Sequence, residues 1–317
     1  MKSIFLSLVL LATSFGVLAE APKKVVTIVN PFSVSGLTDL VARMAAEKSR
    51  DKFPNGTIIV SRPGAGGSIG IASVTNAPRD GSTIGFTPTG SVVDLPQMQE
   101  LPYKNPDDLE PIINVMASYQ LLAVSADSKW KTLKEYVDDA RAAPGKLSMG
   151  HTGRGTASHL NMAQLVSAAR LDLIEIPYTG WAQSSVALLG RHVDAIVINP
   201  GEGRQLIQQG RIRVLGVFQP QRVPFYPDVP TFKEAGYDVG VSLKFFFFGP
   251  KGMDPAVRQY MHDAFKAVMD DPEFKSFLQS REVVADYMDG PATKAMLWSE
   301  FRSHTALLES LGLKARP

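Results

Sequence analysis

The 317-residue sequence predicts an α/β protein of two lobes with a ligand cleft between them. Three observations carry this expectation. Strand-like apolar runs alternate with helix-spaced ones, so that each half holds two successive strand–loop–helix units. Roughly 300 residues exceed what one hydrophobic core usually organises. Loops rich in glycine and small hydroxyl residues follow the strand ends, the edge at which open parallel sheets bind ligands.

The chain opens with Lys2, an apolar run from Ile4 to Leu11 and the small-residue pattern Val17-Leu18-Ala19. This reads as an export signal over residues 1–19, cleaved after Ala19. The run is short for a membrane span, and no Arg-Arg pair precedes it. Cysteine is absent, which excludes a disulfide, a thiolate nucleophile, a lipid-bearing cysteine and Cys-based zinc. The expected location is the periplasm. A formal net charge of +2, without a basic stripe, makes nucleic acid and anionic membranes poor partners.

In the first half, "KVVTIVNP" reads as a buried strand, and Leu37, Leu40, Val41, Met44 and Ala45 follow at helical spacing. "TIIVS" is a second strand, leading through "SRPGAGGSIG" into a short helix. Asp80-Gly81 then turns the chain into a third strand, "STIGFTPTG". In the second half, "KLSMG" leads through "HTGRGTAS" into a helix, and "LIEIPYTG" leads through "WAQSSVALLG" to the strand "VDAIVIN". "RIRVLGVF" and "SLKFFFFGP" are further strands, and the four phenylalanines read as core rather than an aromatic cage. A proline-rich passage separates them and suits a crossing between lobes. Helices starting near Asp254, Asp271 and Pro291 finish the chain. The expected lobes are residues 20–122 with 223–317, and residues 123–222.

Three loops carry the binding chemistry. "SVSGLTD" stands at a helix start, where orphan N–H groups favour a carboxylate and Ser33, Ser35 and Thr38 add hydroxyls. Helix capping explains such residues equally well. The glycines at 64, 66 and 70 miss the dinucleotide spacing and no Lys-Ser/Thr follows, which leaves an anion-binding turn or a packing turn. "GRGTASHL" repeats the device with Thr156, Ser158 and His159, the histidine either donating to a ligand or bracing the loop. Arg154 beside it is able to clamp a carboxylate. No nucleophile elbow, H-E-x-x-H or metal spacing occurs among the five histidines, so no catalysis, metal or cofactor is expected.

Taken in order, "VNPFSVSGLTDLVAR", "SRPGAGGSIG", "DGSTIG", "GRGTASHL", "IPYTGWAQSSVALLGRHVD" and "YPDVPTFKEAG" resemble the solute-binding proteins of tripartite tricarboxylate transporters, the Bug receptor family. The resemblance covers essentially the whole chain after residue 19. It implies a type II-like periplasmic flytrap, monomeric, that captures a small carboxylate and presents it to membrane permease subunits. It also implies that Ser35, Gly36 and Leu37 in one loop and Ala65, Gly66 and Gly67 in another hold a ligand carboxylate through main-chain N–H groups. By the same likeness Thr156, Ala157, His159 and Asn199 set specificity from the second lobe, and Thr87 and Gly90 line the floor. Ser35-Gly36 stands where the family carries Gly-Gly, and Thr179 and Arg191 depart from the pattern at positions expected outside the pocket. Arg154 stands where a small or neutral residue is usual, which favours a dicarboxylate. A sensor docking on a signalling histidine kinase needs the same cleft and stays open; a periplasmic hydrolase lacks its residues.

Overall fold

The computed structural model describes residues 19–241 and 243–315, so the expected export signal lies outside them except for Ala19. The chain begins with β1 (Val26–Asn30), α1 (Leu37–Lys48), β2 (Thr57–Ser61), α2 (Ser68–Thr75) and β3 (Thr83–Pro88). Two short helices follow, α3 (Gly90–Val93) and α4 (Leu95–Met98), and then the long strand β4 (Leu109–Ser118). Beyond residues 119–120 come β5 (Leu121–Ser125), α5 (Leu133–Ala142), β6 (Ser148–His151), α6 (Ala157–Ala169), β7 (Ile174–Pro177) and α7 (Trp181–Leu189). Next are β8 (Ala195–Ile198), α8 (Pro200–Gln208) and β9 (Ile212–Val217). After an irregular stretch the chain ends with β10 (Leu243–Pro250), α9 (Pro255–Asp270), α10 (Pro272–Ser280), β11 (Val284–Asp289) and α11 (Gly290–Ser310).

These strands form two separate sheets, ordered β11-β4-β10-β3-β1-β2 and β7-β6-β8-β5-β9. Each is mixed. β1 pairs in parallel with β2 and β3, and β6 with β7 and β8, while β10 runs antiparallel to β3 and β4, and β5 antiparallel to β8 and β9. The parallel strands are those joined by helical crossovers, and these deliver the glycine-rich loops to one edge of each sheet. The four strands that leave or enter a sheet at a crossing, β4, β5, β9 and β10, all have antiparallel neighbours, as does β11 at the sheet edge.

Both faces of the first sheet are buried. Along β10, Phe245 and Phe247 join the core that includes Phe86 and Phe265, while Phe246 and Phe248 join the opposite core with Val29 and Ile71. A strand covered on both sides needs no polar alternation, which is why four phenylalanines stand in a row. Phe247 stacks on Phe265 with ring centroids 4.0 Å apart.

The second sheet also has a core on each face, one around Tyr136 and Phe232, the other around Leu121 and Leu188. Val223, Val229, Phe232, Tyr237 and Val239 all pack in these two cores, whereas Val241 packs in the first-sheet core. The two connections between sheets are tied by one side chain. Asn161 on α6 donates Nδ2 to Gln120 Oε1 (2.9 Å) and accepts from the Val241 N–H through Oδ1 (2.9 Å). Its neighbour one turn on, Gln164, accepts from the Gly240 N–H at 3.1 Å. A buried amide with both functions satisfied, as that of Asn161 is, fixes geometry well, so the crossings are held side by side.

Candidate functional site

The loops after β1, β2 and β3 meet those after β6, β7 and β8 across a closed cleft. Glycine is required where backbone meets backbone. A Cβ at Gly66 would stand 2.5 Å from the Arg154 carbonyl oxygen, and Gly66 also takes the left-handed conformation at φ +66°. A Cβ at Gly180 would stand 2.5 Å from Ser33 Oγ. Gly66 of "RPGAGG" therefore lets the two rims touch.

An inner cavity with about 50 Å³ of water-accessible space lies between the rims. Phe32, Ser33, Gly36, Thr38, Pro88, Gly90, Ser91, Leu243 and Phe245 line it from the first lobe's side, with Gln120 at the crossing. Thr152, Thr156, Ala157, Gly180, Trp181, Asn199 and Glu202 close it from the other. Glu202 is the single charged side chain on this lining among the described residues. Its Oε1 accepts from the Leu37 N–H at the start of α1 (3.2 Å), and its Oε2 accepts from Asn199 Nδ2 (3.1 Å). Enclosure pushes the Glu202 carboxyl above its ordinary value, and these two donors pull against that.

The N-terminus of α1 thus does attract a carboxylate, as its dipole dictates, but the carboxylate comes from the opposite lobe of the same chain. Ser35 is occupied as well. Its N–H donates to Asp39 Oδ2 at 3.1 Å, and its side chain, at φ +67°, does not line the cavity.

Phe32 and Thr152 also wall a second, outer cavity of about 300 Å³, lined by Ala65, Gly66, Gly67, Arg154, Tyr178 and Thr179. The second glycine loop and Arg154 therefore sit together in the outer cavity, apart from the first loop. Thr179 lines it too, against expectation, whereas Arg191 is exposed at 3.5 Å from Asp127. Thr87 lies fully buried in β3, paired with Phe246, and Pro88 takes the lining position expected of it.

His159 lines neither cavity. It is 1% exposed and packs against His151 with centroids 4.7 Å apart and ring planes tilted by 36°. Its Nδ1 accepts from the Gly155 N–H and His151 Nδ1 from the Gly153 N–H, each at 3.2 Å. Both Nε2 atoms then carry the proton and face Glu175 Oε1, at 2.9 Å from His151 and 3.3 Å from His159. Burial, the neighbouring His151 and Arg154 lower the His159 pKa to about 4 against the pull of Glu175. The His151 hydrogen bond is the main cause holding the Glu175 carboxyl below its ordinary value. These three side chains are close enough to share a metal, yet the arrangement does not suit one. A metal on Nε2 would require N–H at Nδ1, pointing at a main-chain N–H. The cluster is a brace that shapes residues 153–155.

Ser33, Gly36, Gly90, Thr156, Ala157 and Asn199 are thus brought together around the inner cavity; Ala65, Gly66, Gly67 and Arg154 around the outer one. Ser35, Leu37, Thr87 and His159 stand behind the lining. Sequence reasoning missed Glu202, Gln120 and Trp181. An acidic residue in a first helical turn reads as ordinary dipole complement, and nothing local says that it serves another helix.

Residues 41–313 match the family described as the tripartite tricarboxylate transporter family receptor. A curated relative from Cupriavidus necator, the UPF0065 protein in gbd 5' region, is 32% identical over 92% of this chain and 89% of its own. Among solved structures, the periplasmic binding protein BugD is 28% identical with TM-score 0.88, covering 93% of this chain and 100% of that one. MatC from Rhodopseudomonas palustris with bound malate shares the fold, at 22% identity and TM-score 0.86 over 90% of this chain and 99% of that one.

Proposed function

The chain belongs to the tripartite tricarboxylate transporter receptor family, and from that premise we propose that it captures a small organic acid in the inner cavity and hands it to membrane permease subunits. The observation that carries this reading is the meeting of the two rims over a cavity of mixed polar and apolar lining. A ligand touching both rims stabilises the closed form by its differential affinity, and a permease reads closure. The malate held by MatC, a protein of the same fold, supports an acid as the guest.

The expected preference for a dicarboxylate rested on Arg154, an exposed residue that lines the outer cavity and not the inner one. The ligand class kept here is therefore the small carboxylate. We place the return crossing after Val239, because residues 223–239 carry second-lobe packing. Periplasmic location is part of the proposal; no helix among the described residues is long and apolar enough to cross a membrane.

The test is calorimetric titration of protein stripped of bound ligand by unfolding and refolding, against mono-, di- and tricarboxylates of two to eight carbons. Saturable heat from some of them, lost on Gly66→Ala, supports the reading. Silence across the whole panel overturns it.

A further inference from the structure

We propose that the guest carries, besides its carboxylate, a hydrogen-bond donor head, an ammonium or a carboxamide, selected by Glu202 and Asn199. This rests on the organic-acid reading of the inner cavity. The wall formed by the start of α8 presents acceptors. Glu202 brings a carboxylate whose two oxygens each hold one hydrogen bond, and each retains acceptor capacity. Asn199 donates Nδ2 to Glu202, which fixes the orientation of its amide and leaves Oδ1 enclosed with no partner among the described residues.

An enclosed acceptor without a donor is costly, and two acceptors side by side ask for a donor from the guest. A second ligand carboxylate on this wall would meet only like charge, since among the described residues no Lys, Arg or His lines the cavity. Donors lie elsewhere on the lining. Gln120, 4% exposed, has Oε1 committed to Asn161, so its Nε2 is the free end. Ser33 and Trp181 share the lining with it, and their hydroxyl and indole N–H are further donors for the guest's carboxylate. The aromatic rings of Phe32 and Trp181 suit the carbon chain between the two ends.

Matched series decide this. Stripped protein is titrated at pH 7 with a dicarboxylate, its monoamide and the amino acid of equal length, for example glutarate, glutaramate and 4-aminobutyrate, and with the homologues one carbon shorter and longer. At one length or more, the amide- or amine-bearing acid binds at least ten-fold tighter than the dicarboxylate. In Glu202→Gln that ratio falls at least ten-fold, because a carboxamide offers a donor to the second carboxylate. Asn199→Ala lowers it in the same direction, and the melting temperature of each variant verifies that it folds.

A dicarboxylate bound as tightly as its monoamide and amino acid, or a ratio unmoved in folded Glu202→Gln, overturns the inference while the receptor reading stands. Failure of every acid to bind overturns the receptor reading itself.

Discussion

Glu202 Oε1 accepts the main-chain N–H of Leu37 at 3.2 Å, joining two residues 165 positions apart across the cleft. This bond puts the chain's own carboxylate on the positive end of α1. It ties the two rims of the closed form to each other.

Removing that carboxylate is expected to loosen the unliganded protein. Hydrogen bonds to charged groups are worth about 1.5–3 kcal/mol, a shift of roughly 10- to 150-fold in a two-state equilibrium. Glu202→Ala without ligand should therefore show a larger radius of gyration by small-angle scattering than the wild type. Superimposable curves would refute the latch.

Gly66→Ala places a methyl carbon 2.5 Å from the Arg154 carbonyl oxygen, and the neighbour is backbone that cannot swing away. Ligand affinity should drop at least ten-fold. Stability should fall by no more than about 1–2 kcal/mol, the cost of a left-handed alanine, because the open form has room for it. A variant that binds as the wild type does would show that the rims need not touch.

His159 gives stability a pH dependence of defined sign. Its folded pKa of about 4 lies below the ordinary 6.5, so the native state stays neutral while the unfolded chain takes up a proton. Its contribution is complete above pH 6.5 and is lost progressively down to about pH 4, by roughly 3 kcal/mol in total. The measurement is the imidazole resonance of His159, whose midpoint should fall near 4. Denaturant midpoints of wild type and His159→Gln should converge over the same window. A midpoint near 6.5 would show that the brace is not built as described.

Phe247→Ala tests the core under the site. The ring is fully buried between Phe265 and Phe86, with centroids at 4.0 Å and 4.6 Å. Truncation should cost about 3–5 kcal/mol in urea unfolding. A loss below 1 kcal/mol would mean that the rings repack freely.

Much of the fold was legible from periodicity. The runs "VVTIVN", "TIIVS" and "VDAIVIN" are strands because branched, apolar residues dominate each of them, and each contains a strand of the structure. The strands β4 and β5 were harder, since "LEPIINVMAS" carries a proline and "LLAVS" is too short to separate from a buried helix turn. The site divided the same way. Glycine at 66 and 180 signals a close approach wherever it occurs, but not what approaches. His151, His159 and Glu175 show no metal or catalytic spacing, yet β6, α6 and β7 bring them within 4.8 Å of one another.

By itself, then, the order of residues determined where strands end, where helices begin and which loops have naked backbone to offer. These follow from φ/ψ preference and from repeats of two and 3.6 residues, all of them local. Only the tertiary structure decided that Glu202 would reach Leu37, that Arg154 would stand outside the inner cavity and that His159 would stand behind the lining against His151 and Glu175. Each depends on how two separate sheets are set against each other through the crossings at Gln120 and Val241, a relation that no short-range pattern encodes.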